Sequence, residues 1–187
     1  MNKKRYAMAY IISRCIDCKA CMIACKQEWN IPHDDFRTHI TEVDSPSEFS
    51  YRRSYFLPSQ CNHCGSSPCV TACPTGASHI REDGIVDINN KRCIGCKYCI
   101  PACPYNARFF NEETGVADKC TFCVPRVESG LLPACATTCL SGARQFGDLN
   151  DPESPVSLAL KDAVDKKLKI WKLREELGTH PAVYYIG

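Results

Sequence analysis

Short apolar stretches alternate with polar, turn-forming segments along the sequence, and several have the length and composition of β-strands. Residues 5–12 (RYAMAYII) and 107–111 (ARFFN) are predicted to form short strands, and so are residues 183–186 (VYYI). Between residues 76 and 88 an Asp-Gly pair is flanked by Ile and Val, a pattern that predicts a β-hairpin.

The clearest helical pattern lies at residues 151–168, where Ser154-Pro155 suits the first turn of a helix. The apolar positions of this predicted helix recur near helical spacing at Leu158, Leu160, Val164 and Leu168.

By contrast, the segment 26–60 contains three prolines and several charges, and it is predicted to be an irregular, surface-lying insertion.

Composition changes this picture. The chain has 187 residues, 16 cysteines and a formal net charge of +2, a balance that does not favour a nucleic-acid-binding protein. The 44% hydrophobic content includes the cysteines, so the other apolar residues are few for this length. Metal or covalent cross-links are therefore expected to supplement the core.

Segments for export and membrane insertion are not evident in the sequence. No stretch reaches the roughly 18 apolar residues of a membrane-spanning helix, and the N-terminal residues lack the apolar run of a secretory signal peptide. We therefore expect no direct membrane span. Arg52-Arg53 resembles a twin-arginine motif, but it lies far inside the sequence and is interpreted as an exposed pair at a strand start.

The cysteines form an internal repeat of four groups of four, with none left over. The first and third groups have the spacing C-x2-C-x2-C-x3-C, and proline follows the last cysteine of the second and third groups. The groups are Cys15, Cys18, Cys21 and Cys25; Cys61, Cys64, Cys69 and Cys73; Cys93, Cys96, Cys99 and Cys103; and Cys120, Cys123, Cys135 and Cys139.

This spacing is typical of cubane iron–sulfur clusters, because a tight loop wraps three thiolates around one cluster while the fourth cysteine binds another. Zinc would require two pairs of ligands rather than triplets, and neighbouring cysteines at this spacing cannot form disulfides with one another. Four 4Fe-4S clusters are expected. Short helices are predicted after the third cysteine of each group, and His63 is interpreted as a packing residue beside a cluster.

Catalytic motifs are not found in the sequence: it contains no nucleophile paired with a base, no P-loop and no dinucleotide fingerprint. The protein alone is therefore not expected to catalyse a reaction. Four basic residues in the cysteine loops either raise cluster potentials by stabilising the reduced state or are solvated surface charges. They are Lys19, Lys26, Arg92 and Lys97.

The four-group pattern resembles the four-cluster, ferredoxin-like iron–sulfur (beta) subunits of molybdopterin oxidoreductases, such as dimethyl sulfoxide reductase. The short insertions look most like the beta subunits of polysulfide and thiosulfate reductases. Leu140 departs from the family pattern, in which proline often follows the last cysteine. The resemblance is carried by CNHCGSSPCVTACPTGA (61–77), CIGCKYCIPACPYNAR (93–108), KCTFCVPRVESGLLPAC (119–135) and FGDLNDPESPV (146–156).

The resemblance implies an α+β fold with two ferredoxin-like modules of the βαββαβ type, one inserted within the other. The first module is split between residues 1–25 and 112–150, and the second spans residues 61–111. Residues 26–60 would be an insertion used in docking, and residues 151–187 a C-terminal helical arm.

The resemblance also implies which cysteines share a cluster. Cluster 1 would be held by Cys15, Cys18, Cys21 and Cys139, and cluster 2 by Cys25, Cys120, Cys123 and Cys135. Cluster 3 would be held by Cys61, Cys64, Cys69 and Cys103, and cluster 4 by Cys73, Cys93, Cys96 and Cys99.

A catalytic molybdopterin subunit and a quinone-reactive integral membrane subunit are the partners that the resemblance implies. The expected function is electron transfer between them, with polysulfide or thiosulfate as the terminal acceptor. The alternatives are the same role in an arsenate, tetrathionate or dimethyl sulfoxide reductase, or in a soluble molybdopterin enzyme, and a free ferredoxin-like carrier. The expected location is the periphery of the inner membrane, on the periplasmic side through co-export with a partner, with the cytoplasm as the alternative.

Overall fold

A computed structural model describes residues 3–44 and 54–187, and there the protein forms a mixed α+β fold of short helices and four small sheets. The strands are β1 (Tyr6–Ile11), β2 (Thr38–Asp44), β3 (Ser54–Gln60), β4 (Ser78–Ile80), β5 (Val86–Ile88), β6 (Phe109–Asn111), β7 (Val116–Asp118), β8 (Arg144–Asp148), β9 (Ile170–Trp171) and β10 (Val183–Ile186). The helices are α1 (Ala20–Trp29), α2 (Pro68–Thr71), α3 (Val124–Glu128), α4 (Ala134–Thr137) and α5 (Pro155–Asp165), with 3₁₀ turns at Ile12–Arg14 and Glu175–Leu177.

The largest sheet has the strand order β8-β1-β10-β9, and its central strand β1 is buried on both faces. Ala7 and Ala9 belong to an apolar cluster that includes α5. Met8 and Tyr10, on the opposite face, belong to a cluster that includes four cysteines. Strand β1 thus separates an ordinary helix-on-sheet core from the cysteine-rich half of the molecule.

Helix α5 confirms the predicted C-terminal helix, although it ends at Asp165. Ser154 caps it, because its Oγ accepts a hydrogen bond from the Ser157 backbone N–H at 3.3 Å. The strand predicted at residues 183–186 is also confirmed. It pairs in parallel with β1, so the end of the C-terminal segment is part of the main sheet.

The prediction that residues 26–60 are irregular is wrong. Strands β2 and β3 form an antiparallel ladder in which Thr38 faces Gln60 and Asp44 faces Ser54. Pro58 lies within β3, where a two-stranded ribbon leaves one edge free and tolerates the missing N–H. Residues 45–53, including Arg52 and Arg53, lie outside the described residues.

The predicted hairpin at residues 76–88 is confirmed as β4 and β5, with Gly84 at a φ of +82° in the turn. The helix prediction for the cysteine groups holds in part, because α1, α2 and α4 each contain the third cysteine of a group. In the third group residues 98–102 form turns instead.

Within residues 3–44 and 54–187 no helix has the length and apolarity needed to cross a bilayer.

Candidate metal centre

The cysteine loops share one backbone feature in all four groups. The second residue after the first cysteine has a left-handed φ in each loop, a conformation that L-residues adopt only where the surroundings fix it. Gly95 cannot be replaced freely, because a Cβ there would lie 2.9 Å from the Gly115 carbonyl oxygen. The φ values are +54° at Asp17, +44° at His63, +68° at Gly95 and +52° at Phe122.

Three cavities in the structure are each lined by four cysteines from two different groups. Their volumes, counting space open to solvent, are similar at about 320, 290 and 340 Å³. The first is lined by Cys15, Cys18, Cys21 and Cys139, the second by Cys25, Cys120, Cys123 and Cys135, and the third by Cys73, Cys93, Cys96 and Cys99. We call these sets 1, 2 and 4.

The remaining four cysteines, called set 3, also lie together. Burial raises the pKa of the Cys64 thiol to about 12, with further contributions from Cys61, Cys69 and Cys103. In set 2, burial and the neighbouring thiols of Cys135 and Cys123 raise the pKa of Cys25 to about 12. Such thiols are protonated at neutral pH, so metal binding to them must release protons.

Sets 1, 2 and 4 each surround a cavity rather than converging on a point. Across the described segments, no three His, Cys, Asp or Glu side chains are close enough together to hold a single metal ion. A zinc site requires four ligands at about 2.0–2.3 Å from one centre. The arrangement therefore fits a multi-iron cluster better than zinc.

Polar groups around the set 2 cavity supply a second test of the fit. Arg37, Gln60 and Thr121 line this cavity, and each has a buried polar atom without a hydrogen-bond partner among the described residues: Nε and Nη1 of Arg37, Nε2 of Gln60 and Oγ1 of Thr121. The Trp29 indole N–H already donates to Cys123 Sγ at 3.3 Å. Donors that face a sulfur-rich cavity suit a 4Fe-4S cluster, whose sulfurs accept hydrogen bonds.

Three cations are buried among the thiol sets: Arg108, Lys119 and Arg144, each no more than 4% exposed. Lys119 donates to the carbonyl oxygens of Val86 and Cys120. Where the structure is described, carboxylate partners are found for Arg37, Arg81 and Arg126 but not for these three cations. Buried charges need a counter-charge, and anionic clusters would supply it.

The basic residues named from the sequence have other surroundings. The Lys26 ammonium donates to the carbonyl oxygens of His33 and Asp35 at 2.8 and 2.7 Å. The side chains of Lys19 and Lys97 are 58% and 52% exposed. For Lys19 and Lys26 these contacts favour the surface or structural interpretation over cluster tuning.

His63 is buried and stacks on Phe122 with ring centroids 3.7 Å apart. Its Nδ1 accepts a hydrogen bond from the Val86 backbone N–H at 3.1 Å. Burial, Lys119 and Arg108 hold the pKa of His63 well below its usual value. These contacts agree with its interpretation as a neutral packing residue.

Sequence reasoning missed Arg108, Lys119 and Arg144, although Lys119 directly precedes Cys120. A signal was present in the sequence. Arg108 and Arg144 each occupy the fifth position after the last cysteine of their group, in CPYNAR and CLSGAR.

Comparison with known proteins identifies 4Fe-4S domains over much of the chain. A profile described as a 4Fe-4S dicluster domain matches residues 52–149, and a second profile with that description matches residues 14–77. The B subunit of the tetrathionate reductase of Salmonella typhimurium is 48% identical over 186 residues, which cover 99% of this chain and 73% of the relative.

Two further relatives show that the similarity extends across several reductases. The B component of the polysulfide reductase of Wolinella succinogenes is 39% identical over 98% of this chain and 94% of its own length. The iron-sulfur B subunit of a putative dimethyl sulfoxide reductase of Halobacterium salinarum is 39% identical over 97% of this chain and 79% of its own length.

Proposed function

Because this protein belongs to the family of 4Fe-4S dicluster iron–sulfur subunits of reductase complexes, we propose that it conducts electrons through four clusters between a quinol-oxidising membrane subunit and a molybdopterin catalytic subunit. Sets 1, 2, 3 and 4 would hold clusters 1, 2, 3 and 4. Each cluster supplies one-electron redox chemistry when it is bound. The chain itself positions the thiolates, excludes water from the inner sets and presents the outer sets to partners.

The observation that carries this proposal is the pattern of exposure along the series of thiol sets. All four cysteines of set 2 are buried, and so are three of set 3, whereas sets 1 and 4 each contain an exposed cysteine, Cys18 and Cys96. Buried inner sets and accessible outer sets suit a conductor with two ends. A carrier that serves a single site needs only one.

Neighbouring sets are also connected through the fold. Cys21 of set 1 and Cys25 of set 2 lie one turn apart on α1. The thiol of Cys61 in set 3 lies close enough to Cys120 in set 2 to contribute to the raised pKa of Cys120. Sets 3 and 4 share the second and third cysteine groups. The series 1-2-3-4 is therefore the arrangement we propose.

Apolar side chains surround both accessible ends. Ile16 and Leu140, beside set 1, are 62% and 85% exposed, and Ile94 and Tyr98, beside set 4, are 68% and 66% exposed. Large apolar residues grouped at the surface mark protein interaction sites. Two such groups favour two protein partners and argue against a freely diffusing carrier.

The cysteines that line the cavities support the proposed domain arrangement. The first ferredoxin-like module would be built from residues 1–25 and 112–150, because cysteines from both ranges line sets 1 and 2. Residues 61–111 would form the second module, inserted within the first. In the complex, the protein would lie at the periphery of the inner membrane, on the periplasmic side after co-export with a partner.

For the terminal acceptor we propose an inorganic sulfur compound. Identity to the tetrathionate reductase relative, at 48%, exceeds the 39% identity to the polysulfide reductase relative over a similar span, so tetrathionate precedes polysulfide and thiosulfate. The substrate would bind to a different subunit. The same iron–sulfur protein could therefore pass electrons to a catalytic subunit that reduces another acceptor.

The test is anaerobic isolation of the native complex through a tag on this chain. We expect about sixteen iron atoms per chain, a molybdopterin subunit and a membrane subunit, and turnover of tetrathionate with a reduced quinone analogue. Turnover of dimethyl sulfoxide or arsenate alone would overturn the sulfur assignment. Stoichiometric zinc in place of iron, or turnover by the isolated chain, would overturn the proposed electron-transfer role.

A further inference from the structure

Arg108 and Arg144 occupy equivalent places in the internal repeat, five residues after Cys103 and Cys139. Both side chains are 4% exposed. Arginine remains protonated in proteins, so each carries a permanent positive charge into the cysteine-rich interior.

Arg144 lies at the boundary between sets 1 and 2. It lines the set 1 cavity, and its Nη2 donates to Cys21 Sγ at 3.1 Å. The same guanidinium donates to Thr38 Oγ1 at 2.9 Å and to Gln60 Oε1 at 3.3 Å, and these two residues line the set 2 cavity.

Arg108 holds the corresponding position between sets 3 and 4. It lines the set 4 cavity together with Ser78, to whose Oγ its Nη2 donates at 2.7 Å. Its position in the repeat, five residues after Cys103 of set 3, corresponds to that of Arg144, five residues after Cys139 of set 1. Nε and Nη1 of Arg108 are buried and lack a hydrogen-bond partner among the described residues.

The absence of a carboxylate beside either guanidinium, in the part of the protein that is described, means that these charges are not parts of ordinary ion pairs. A buried cation stabilises nearby negative charge strongly, because the surrounding dielectric is low. Reduction of a cluster adds one electron and therefore one negative charge.

We propose that Arg144 raises the reduction potentials of clusters 1 and 2 together, and that Arg108 does the same for clusters 3 and 4. Each arginine is a positioning residue that acts on the cluster pair of one module. Reduction adds an electron from the upstream donor and leaves the guanidinium protonated, so no proton or bond changes place. This inference rests on the ligand sets proposed above.

The test is redox titration of the fully loaded protein, followed by electron paramagnetic resonance, for Arg144→Gln and Arg108→Gln. We expect Arg144→Gln to lower two of the four reduction potentials. The equilibrium constant for reduction of each cluster should fall by about tenfold, which is about 59 mV for a one-electron couple. Arg108→Gln should lower the other two. Arg144→Lys, which keeps the charge but loses the hydrogen bond to Cys21, should lower the first pair by a smaller factor.

Lys19→Gln is the control, because this exposed cation pairs with Asp17, which lines the set 1 cavity. It should change no equilibrium constant for cluster reduction by more than about twofold. If a glutamine variant does not bind its clusters, the lysine variant at the same arginine is used for the test. The reduction potentials that it lowers must then belong to the same pair of clusters. Potentials that stay unmoved, or that shift equally in all four clusters, overturn the role of the arginines. A wild-type protein with fewer than four clusters overturns the ligand sets instead.

Discussion

Individual hydrogen bonds to sulfur distinguish the thiol sets at the scale of single residues. In set 2 the Trp29 indole N–H donates to Cys123 Sγ, and the Phe122 backbone N–H donates to Cys120 Sγ at 3.4 Å. In set 4 the Ser78 backbone N–H donates to Cys73 Sγ at 3.3 Å. Hydrogen bonds to cluster sulfurs raise the reduction potential.

Replacing Trp29 with Phe removes one of these donors while keeping an aromatic ring beside Arg37. Loss of a single hydrogen bond, which contributes about 1 kcal/mol, should lower the reduction potential of cluster 2. The equilibrium constant for its reduction should fall by about fivefold. Redox titration measures this, with Trp171→Phe as the control because Trp171 stacks on Tyr185 and, among the described residues, donates no hydrogen bond to a cysteine sulfur. Equal shifts in the two variants would contradict the assignment.

Residue types could be predicted from the sequence more reliably than their surroundings. The sixteen cysteines were recognisable from spacing alone. The cations near them were not, because Lys26 turns to backbone carbonyls, whereas Arg144 comes from a strand 123 positions after Cys21 and reaches its sulfur through the fold. Only the three-dimensional arrangement determines which charge lies beside which sulfur.

At the scale of elements, local signals predicted the short hairpin but not the long one. The Asp-Gly pair fixes a tight turn between β4 and β5, so residues close together in the sequence are enough to predict this hairpin. The ladder pairs residues 38–44 with residues 54–60, and Pro58 within it argued against a strand. Strand β8 was missed because its pairing partner, β1, lies far away in the sequence.

Strand β10 is stabilised by one buried side chain in particular. Tyr185 is fully buried, donates to the Pro58 carbonyl oxygen at 3.0 Å and packs beside Tyr10. Tyr185→Ala should lower the free energy of unfolding by about 3–5 kcal/mol. Anaerobic chemical denaturation of the loaded protein measures this loss.

Tyr184→Ala is the matched control, because the neighbouring side chain points to the other face of the strand and is only partly buried. It should cost about 1 kcal/mol. A similar loss in both variants would show that the face of β10 is not the determining factor.

For the whole molecule, the exposed apolar groups at the two ends of the series are the features that concern assembly. Leu140, at 85% exposure, stands directly after Cys139. Leu140→Asp should leave the iron content and melting temperature of the isolated chain unchanged but weaken binding to one partner by about tenfold, or about 1.4 kcal/mol.

Binding of the purified protein to its partner subunits, titrated anaerobically, measures this change. Val164→Asp is the control, because Val164 is 65% exposed on α5, an element that lines none of the three thiol cavities described above. Unchanged binding of Leu140→Asp, or equal weakening by both variants, would place the docking surface elsewhere.

The parallel pairing of β1 with β10 also has a consequence for synthesis. Met8 faces Val183, so a ribosome making roughly 5–20 residues per second releases β1 about ten to thirty-five seconds before its neighbour exists. During that interval the nascent chain exposes the apolar strand and the first cysteine group. A chaperone or a loading factor that shields this segment until translation reaches β10 would therefore protect the thiols from premature oxidation.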